Sequence, residues 1–288
     1  MKQIVGIDVG GSHITMAQVT TENREIIAST YLREHIDSLA EKEVILSDWA
    51  SAIQKLIKDF DKKVVLLGVA MPGPFDYENG VSLMKQGKFI NILNVNVKKE
   101  LAQRLSIAEK QIHFINDAAA FLEGEIFGGA VQNHKRVFGI TLGTGLGSTF
   151  YDGKVATDED LWDSPYKTSI FENYLTTKWF IKRYKELTGE DISGAKDLLE
   201  KSEDLQTIIF DEYADHLGDF IVQHVKAYNP EVLVIGGNIA KAYPYFQERL
   251  TNNLESNNIN LPIKISAIFE DAAILGAASY ALKQSSDY

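Results

Sequence analysis

Two glycine-rich loops, each entered from a short apolar run, constrain this chain more than any other feature. Ile4-Val5-Gly6-Ile7-Asp8-Val9-Gly10-Gly11-Ser12 opens the sequence, and Phe138-Gly139-Ile140-Thr141-Leu142-Gly143-Thr144-Gly145-Leu146-Gly147-Ser148 lies near its middle. Both read as buried strand, tight glycine turn and second strand, the second strands covering 14–20 and 148–151. Glycine permits a turn at positive φ and lets backbone N–H groups approach a ligand closely. Successive N–H groups in such a turn form a concavity suited to an anion. One loop would say little; two, each at the start of its own run of strands and helices, point to a phosphate held between two lobes.

The chain has room for both, since 288 residues can bury a large core and divide in two. It contains no cysteine, which excludes disulfides, thiolate zinc sites and cysteine nucleophiles and fits a reducing compartment. No leader is visible, because Met1-Lys2 runs straight into a strand. No apolar run approaches the roughly 18–20 residues needed to cross a bilayer. A cytoplasmic protein without membrane partners is the expectation. Net charge is −11 with Lys and Arg scattered, so nucleic acid is not an expected partner. In so acidic a chain, local backbone or a metal must hold any anionic substrate.

The pattern along the chain alternates strands with helices and predicts an α/β architecture. Strands are expected at 3–9, 14–20 and 25–31, a helix over about 39–60, and strands at 64–70 and 111–115 separated by a short helix near 98–105. Ile45, Trp49, Ile53, Leu56 and Phe60 recur at helical spacing and form one apolar stripe. The second half repeats the theme: strands at 137–142 and 148–151, helices around 168–187 and 205–228, a strand at 231–235, a helix near 239–256 and a strand near 262–268. The last helix carries Ala272-Ala273 and Gly276-Ala277-Ala278, small enough for tight packing. The expected division is a small lobe over 1–116, with the final helix of about 272–288 packing back on it, and a large lobe over 117–271.

Several residues could carry chemistry. Asp8 ends a buried strand before two glycines, where a carboxylate can hold Mg²⁺ through water beside a triphosphate; an aspartate there also serves as an ordinary turn residue. Asn116-Asp117 falls where strand gives way to helix, an N-cap position. It is also the carboxyl end of a strand, where open α/β sheets bind ligands. The helix N-terminus would favour ionised Asp117 and keep it available as a base for a hydroxyl group that Asn116 orients. Gly143-Thr144-Gly145-Leu146-Gly147, with the Thr144 and Ser148 hydroxyls, suits phosphate, although an irregular hairpin would look similar. Gly236-Gly237-Asn238 follows the apolar run Val232-Leu233-Val234-Ile235 and leaves space for a planar base. Glu172 lies early in a predicted helix, a position that the dipole alone can explain. The six histidines show no metal-like spacing, and His216 and His224 read as helix-surface or packing residues, so no zinc site is expected.

Taken in order, Asp8-Val9-Gly10-Gly11-Ser12, Pro72-Gly73, Asn116-Asp117-Ala118, Leu142-Gly143-Thr144-Gly145-Leu146-Gly147 and Gly236-Gly237-Asn238 resemble the ROK family (repressors, open reading frames, kinases) of bacterial sugar kinases. This family lies within the actin-like ATPase superfamily. The resemblance runs from about residue 4 to about 280. It implies two ribonuclease-H-like lobes with a cleft between them, ATP and Mg²⁺ as donor and cofactor, and commonly a homodimer. By the motif match, Asp117 looks like the base for the sugar 6-hydroxyl. Asn116, Gly73, Asn94 and Glu172 fall on the sugar side, and Asp8 near the metal. Gly10, Gly11, Ser12, Gly143, Thr144, Gly145 and Gly147 fall near the phosphates, and Gly236, Gly237 and Asn238 near adenosine.

The chain departs from its relatives in two places. The usual Gly-His pair and cysteine-rich zinc loop are missing from Asp160–Tyr174, although Glu172 lines up with the sugar-binding glutamate at the loop's end. Ser12-His13 replaces the more usual Thr followed by another polar residue, which keeps the hydroxyl. The resemblance implies an ATP-dependent hexose kinase, glucose first, with N-acetylglucosamine or N-acetylmannosamine as close competitors. A sugar-responsive regulator of the same family is the contrasting expectation, disfavoured by three residues before Ile4 and by the negative charge. Polyphosphate as donor would call for a basic track, of which only Lys85 and Lys88, near the sugar side, are visible.

Overall fold

The first apolar run becomes the centre of a sheet. In a computed structural model that describes residues 3–286, β1 (Gln3–Val9) pairs antiparallel with β2 (His13–Val19), and Gly10 N–H closes the turn on the His13 carbonyl at 2.9 Å. Met1, Lys2, Asp287 and Tyr288, the last two within the expected final helix, lie outside the described residues. β3 (Leu32–His35) pairs antiparallel with β2 and lies later than the expected 25–31. Over 25–31 there is only a bridge, Val19 to Ile26, and a 3-10 turn at Ala28–Thr30. Thr30 explains the displacement. Its hydroxyl accepts from Gln18 N–H at 2.9 Å and donates to the Ile27 carbonyl at 2.7 Å, so a side chain takes a place the ladder would fill.

α1 (Lys42–Ile57) buries Ile45, Trp49 and Ile53, as the stripe predicts. β4 (Val65–Met71) is buried at every position, which is why its sequence is unbroken apolar: it runs parallel to β1 in the middle of the sheet. A ribbon of β5 (Phe75–Asp76) and β6 (Val81–Ser82), then α2 (Val97–Leu105), lead to β7 (Ile112–Asn116), parallel to β4, and α3 (Asp117–Phe127). The sheet order is β3-β2-β1-β4-β7.

The chain forms two compact units: one runs to Gln132 and takes in everything from Glu270 on, and the other is Asn133–Phe269. α3, placed by the sequence at the head of the second lobe, packs within the first unit against the C-terminal helix, Ala272–Ser286. That helix meets its neighbours backbone to backbone. A methyl group on Gly6 would lie 1.9 Å from the Ile274 carbonyl oxygen, and one on Gly68 1.9 Å from that of Ala277. On Gly124 it would lie 2.0 Å from that of Ala272, and on Gly276 1.7 Å from that of Ala120. Lys283 Nζ donates to the fully buried Glu123 carboxylate at 2.8 and 3.0 Å and ties the helix to α3.

The second unit repeats the sheet. β8 (Val137–Leu142), β9 (Leu146–Tyr151) and β10 (Ala156–Asp158) are antiparallel. The expected helix 168–187 is instead a ribbon of β11 (Pro165–Tyr166) and β12 (Ser169–Ile170), then α4 (Glu172–Leu175) and α5 (Thr177–Thr188). Thr176, at φ −115° and ψ 169°, is extended and separates the two helices. α6 (Ala195–Leu198) and α7 (Glu203–Tyr228) follow, then β13 (Val232–Gly236), parallel to β8. The expected helix 239–256 begins as a 3-10 stretch, Asn238–Tyr245, and becomes α8 (Gln247–Ser256) only after Pro244, whose missing N–H interrupts an α-ladder. β14 (Ile263–Ile265) completes the order β10-β9-β8-β13-β14, and the C-terminal helix is α9.

The close approach of α9 predicts sharp intolerance. Gly276→Ala or Gly68→Ala should lower unfolding free energy by about 2–3 kcal/mol, because rigid backbone rather than a side-chain tip must yield. Gly143→Ala, with nothing within 4 Å of the added methyl, should stay within about 0.5 kcal/mol of the parent in the same urea titrations.

Candidate active site

Sheet register assembles the site in the first unit. Asp8 pairs with Thr15 and Thr15 with Arg33 on one side; Asp8 pairs with Ala70 and Ala70 with Ile115 on the other. This row runs along the carboxyl edge of β1, β4 and β7, and Asn116 and Asp117 follow Ile115 directly. Ligands of open α/β sheets bind at such an edge. Residues directly opposite in neighbouring strands share a face, so Arg33 stands on the same face as Asp8.

Asn116 caps α3. Its side-chain oxygen accepts from Ala119 N–H at 3.0 Å, and its Nδ2 donates to Tyr77 Oη at 3.2 Å. Tyr77 Oη donates in turn to the Met71 carbonyl at 3.1 Å and would lie 3.2 Å from a methyl on Gly73. Gly73, Tyr77, Asn116 and Asp117 are thereby brought together. Asn94 joins another group: it sits at φ +61°, donates its N–H to the Ser82 carbonyl at 2.8 Å, and lines a depression of about 450 Å³ with Lys42, Lys99 and Glu100.

Burial pushes the Asp8 carboxyl up to about 6, and the charge of Asp117 adds to the shift; Arg33 and Lys88 oppose it. The Asp117 carboxyl is also raised, first by the crowding of surrounding protein, against the Ala118 N–H and Lys88. The sequence predicts the opposite direction for Asp117 from the helix N-terminus. Desolvation outweighs that field. Solvent still reaches the residue, so the carboxylate is crowded yet accessible.

The glycine turns differ from expectation in one respect. Gly10, Gly11, Gly143, Gly145 and Gly147 are all absent from the positive-φ residues, whereas Gly237 has φ +82° and would clash with the Leu142 carbonyl oxygen at 2.3 Å. These five glycines therefore do not serve as left-handed turns; Gly143 leaves open space, whereas Gly10, Gly11 and Gly145 admit close neighbours. Ser12 Oγ lies 3.0 Å from His13 Nδ1. Thr144 is exposed at the tip of its turn. Ser148 is buried, and its hydroxyl accepts from Leu161 N–H at 3.0 Å, which spends it inside the fold.

In the second unit, Gly147 pairs with Thr141 and Thr141 with Gly236, so this glycine loop and Gly236-Gly237-Asn238 share one sheet edge. Asn238 Oδ1 accepts from Lys241 Nζ at 3.0 Å. Thr177 N–H and Oγ1 both donate to the Gly143 carbonyl, at 2.8 and 3.0 Å. Glu172 Oε2 accepts from Leu146 N–H at 3.3 Å, and Gly145 leaves room for it. The residue assigned to sugar thus touches a loop assigned to phosphate.

Residues 4–157 and 167–284 match the sequence model of the ROK family. The chain belongs to the ROK family. It is 25% identical to the glucokinase of Thermotoga maritima over 96% of both chains. It is 23% identical to the N-acetyl-D-glucosamine kinase of Haemophilus influenzae over 95% of this chain and 97% of that one. A ROK family glucokinase from Streptomyces griseus, solved in complex with glucose and AMPPNP, superposes with a TM-score of 0.77 at 19% identity, covering 98% of this chain and 99% of that one. That likeness shows the fold: two α/β units, each with a five-stranded sheet, the fold of ROK kinases.

The ROK match skips residues 158–166. An aromatic and hydrogen-bonded cluster holds the adjoining ribbon. Tyr166 stacks on Phe171 at 4.2 Å and 13°, donates to Asp219 at 2.6 Å, and lies 3.0 Å from His216 Nδ1. Lys167 Nζ sits over the Tyr166 and Tyr174 rings. Burial and Lys167 push His216 down to about 4, so it packs as a neutral ring, a packing role that the sequence anticipates.

Arg33 and Tyr77 escape the sequence reading. Arg33 was hidden by the misplaced third strand, whereas nothing in a lone tyrosine between short ribbons marks Tyr77.

The raised Asp8 carboxyl gives a signed prediction. Its ordinary value is 3.8 and its folded value about 6, so the native state holds the proton more tightly and loses stability as pH rises through that window. Asp8→Asn should therefore stabilise the fold by about 1–3 kcal/mol near pH 8 and by little near pH 4. Urea titrations at the two pH values check it, and a variant less stable than the parent near pH 8 would contradict the assigned environment.

Proposed function

We propose that this ROK protein is an ATP-dependent sugar kinase that phosphorylates the 6-hydroxyl of a hexose, glucose first, with Asp117 as general base. The observation that carries the reading is the placement of Asp117: first residue of α3, at the carboxyl edge of a parallel strand, accessible to solvent and beside a second carboxylate. Phosphoryl transfer asks mainly for positioning and charge neutralisation with a modest base. A carboxylate shifted upward is a better proton acceptor near neutral pH.

The acceptor hydroxyl gives its proton to a carboxylate oxygen of Asp117. Its oxygen forms the new bond to the γ-phosphorus while the bond from that phosphorus to the bridging oxygen breaks, and ADP leaves with the electron pair. Asn116, held by Tyr77 and the helix cap, retains one N–H to orient the sugar, with Gly73 beside it and Glu172 as the further sugar contact. Gly10, Gly11 and Ser12, with Gly143, Thr144, Gly145 and Gly147, take the phosphates; Gly236, Gly237 and Asn238 take the nucleoside.

Asp8 fits Mg²⁺. Its carboxylate offers hard oxygen donors, makes no hydrogen bond or ion pair among the described residues, and feels a neighbouring carboxylate. Mg²⁺ commonly binds through one or two carboxylates and keeps several waters. Bound there, it would neutralise phosphate charge. A homodimer and a cytoplasmic location accompany this reading; light scattering reports the first.

Coupled ADP release across glucose, mannose, N-acetylglucosamine and N-acetylmannosamine tests the reading. Turnover with at least one is expected, and Asp117→Asn should lower kcat by about 10²–10⁴-fold with sugar and nucleotide binding retained. Folded protein with Mg²⁺ and no turnover on any sugar would sink the assignment.

A further inference from the structure

The acidity of this chain leaves the donor side of the proposed site short of positive charge, and one lysine outside every assigned motif supplies it. Lys88 lies across Gly11. A methyl group on Gly11 would stand 2.4 Å from Lys88 Cε, 2.6 Å from Cδ and 2.8 Å from Nζ, so the lysine stem runs over the glycine and the ammonium hangs at the turn. This placement is built in. Gly87 at φ +74° and Phe89 at φ +58° turn the chain sharply on either side of Lys88. Phe89 is fully buried edge-on to Trp49 at 5.1 Å, and its N–H donates to the Ser38 carbonyl at 2.8 Å. The residue before Lys88 is a hinge in the left-handed region and the residue after it is an anchor, so an exposed lysine is delivered to one spot.

Lys88 makes no ion pair or hydrogen bond among the described residues, yet its charge is felt by both Asp8 and Asp117. An ammonium held near two carboxylates but bonded to neither is free to meet a third anion. Resting on the kinase reading above, we infer that Lys88 is a phosphate-binding residue that contacts the transferred phosphoryl group of the donor, and that Gly11 lacks a side chain so that this lysine can cross it. The same reading gives Gly11 a second duty beyond exposing backbone N–H groups. A point charge on a flexible stem suits a phosphate whose oxygens shift during transfer.

Calorimetric titration of Mg²⁺ with adenosine 5′-(β,γ-imido)triphosphate, and separately with ADP, tests this directly. Lys88→Met should weaken the triphosphate analogue about tenfold or more relative to ADP, leave the hexose KM within about twofold, and leave Tm unchanged. Lys88→Arg should restore part of the loss. Gly11→Ala should weaken the analogue in the parent but add little in the Lys88→Met background, because both act through one contact. An unchanged ratio of analogue to ADP affinity in Lys88→Met overturns the inference. If the parent turns over sugar while that ratio is unchanged, only the role of Lys88 falls. If the parent binds neither nucleotide and phosphorylates no sugar, the kinase reading falls with it.

Discussion

Everything proposed for the first unit depends on how closely α9 lies on β1, β4 and α3. Four glycines bring backbone against backbone at distances no side chain could occupy: Gly6, Gly68 and Gly124 under the helix, and Gly276 within it. Interiors pack at crystal density and transmit displacement. Asp8 is the penultimate residue of β1 and Asp117 the first of α3, so a helix that sets the spacing of these two elements also sets the spacing of the two carboxylates. The ion pair between the half-buried Lys283 and the fully buried Glu123 ties α9 to the middle of α3. The final helix thus contributes no proposed site residue and still holds the site in shape.

The second constraint is charge. Asp8 is pushed to about 6 because a desolvated carboxylate sits near another, and two cations only partly offset this. A carboxylate held in this way works against the stability of the fold near neutral pH. The two sheets share one strand order, and in each the glycine loop lies at the carboxyl edge of the parallel strands. Repetition of one scaffold presents two glycine loops at corresponding sheet edges while leaving their surrounding residues free to differ, and Lys88 belongs to the first alone.

The fold was legible wherever local chemistry and burial agree. Unbroken apolar runs such as Val65–Met71 could only be central parallel strands, and the stripe of Ile45, Trp49 and Ile53 could only face a core. The sequence misled where a side chain usurped a backbone role. Thr30 displaced the third strand and concealed Arg33, an extended Thr176 split a predicted helix, and Pro244 turned the start of another into a 3-10 stretch. For the site, Asn116-Asp117 and the glycines stood out because strand ends and turns restrict residue type. Tyr77 did not, and Lys88 was visible only as a cation expected near the sugar side; their placement beside Asn116 and over Gly11 is long-range, and no local pattern encodes it. The direction of the Asp117 shift was equally hidden, because crowding by distant segments decides it.

The central claim is that Asp117 activates an exocyclic hydroxyl of a hexose toward the donor phosphate. Proton-coupled phosphorus NMR of the product formed from the hexose with highest turnover tests it most directly. The account predicts one new phosphomonoester whose phosphorus couples to the two protons of carbon 6. A phosphorus coupled to a single ring proton, or inorganic phosphate as the only product, would contradict it.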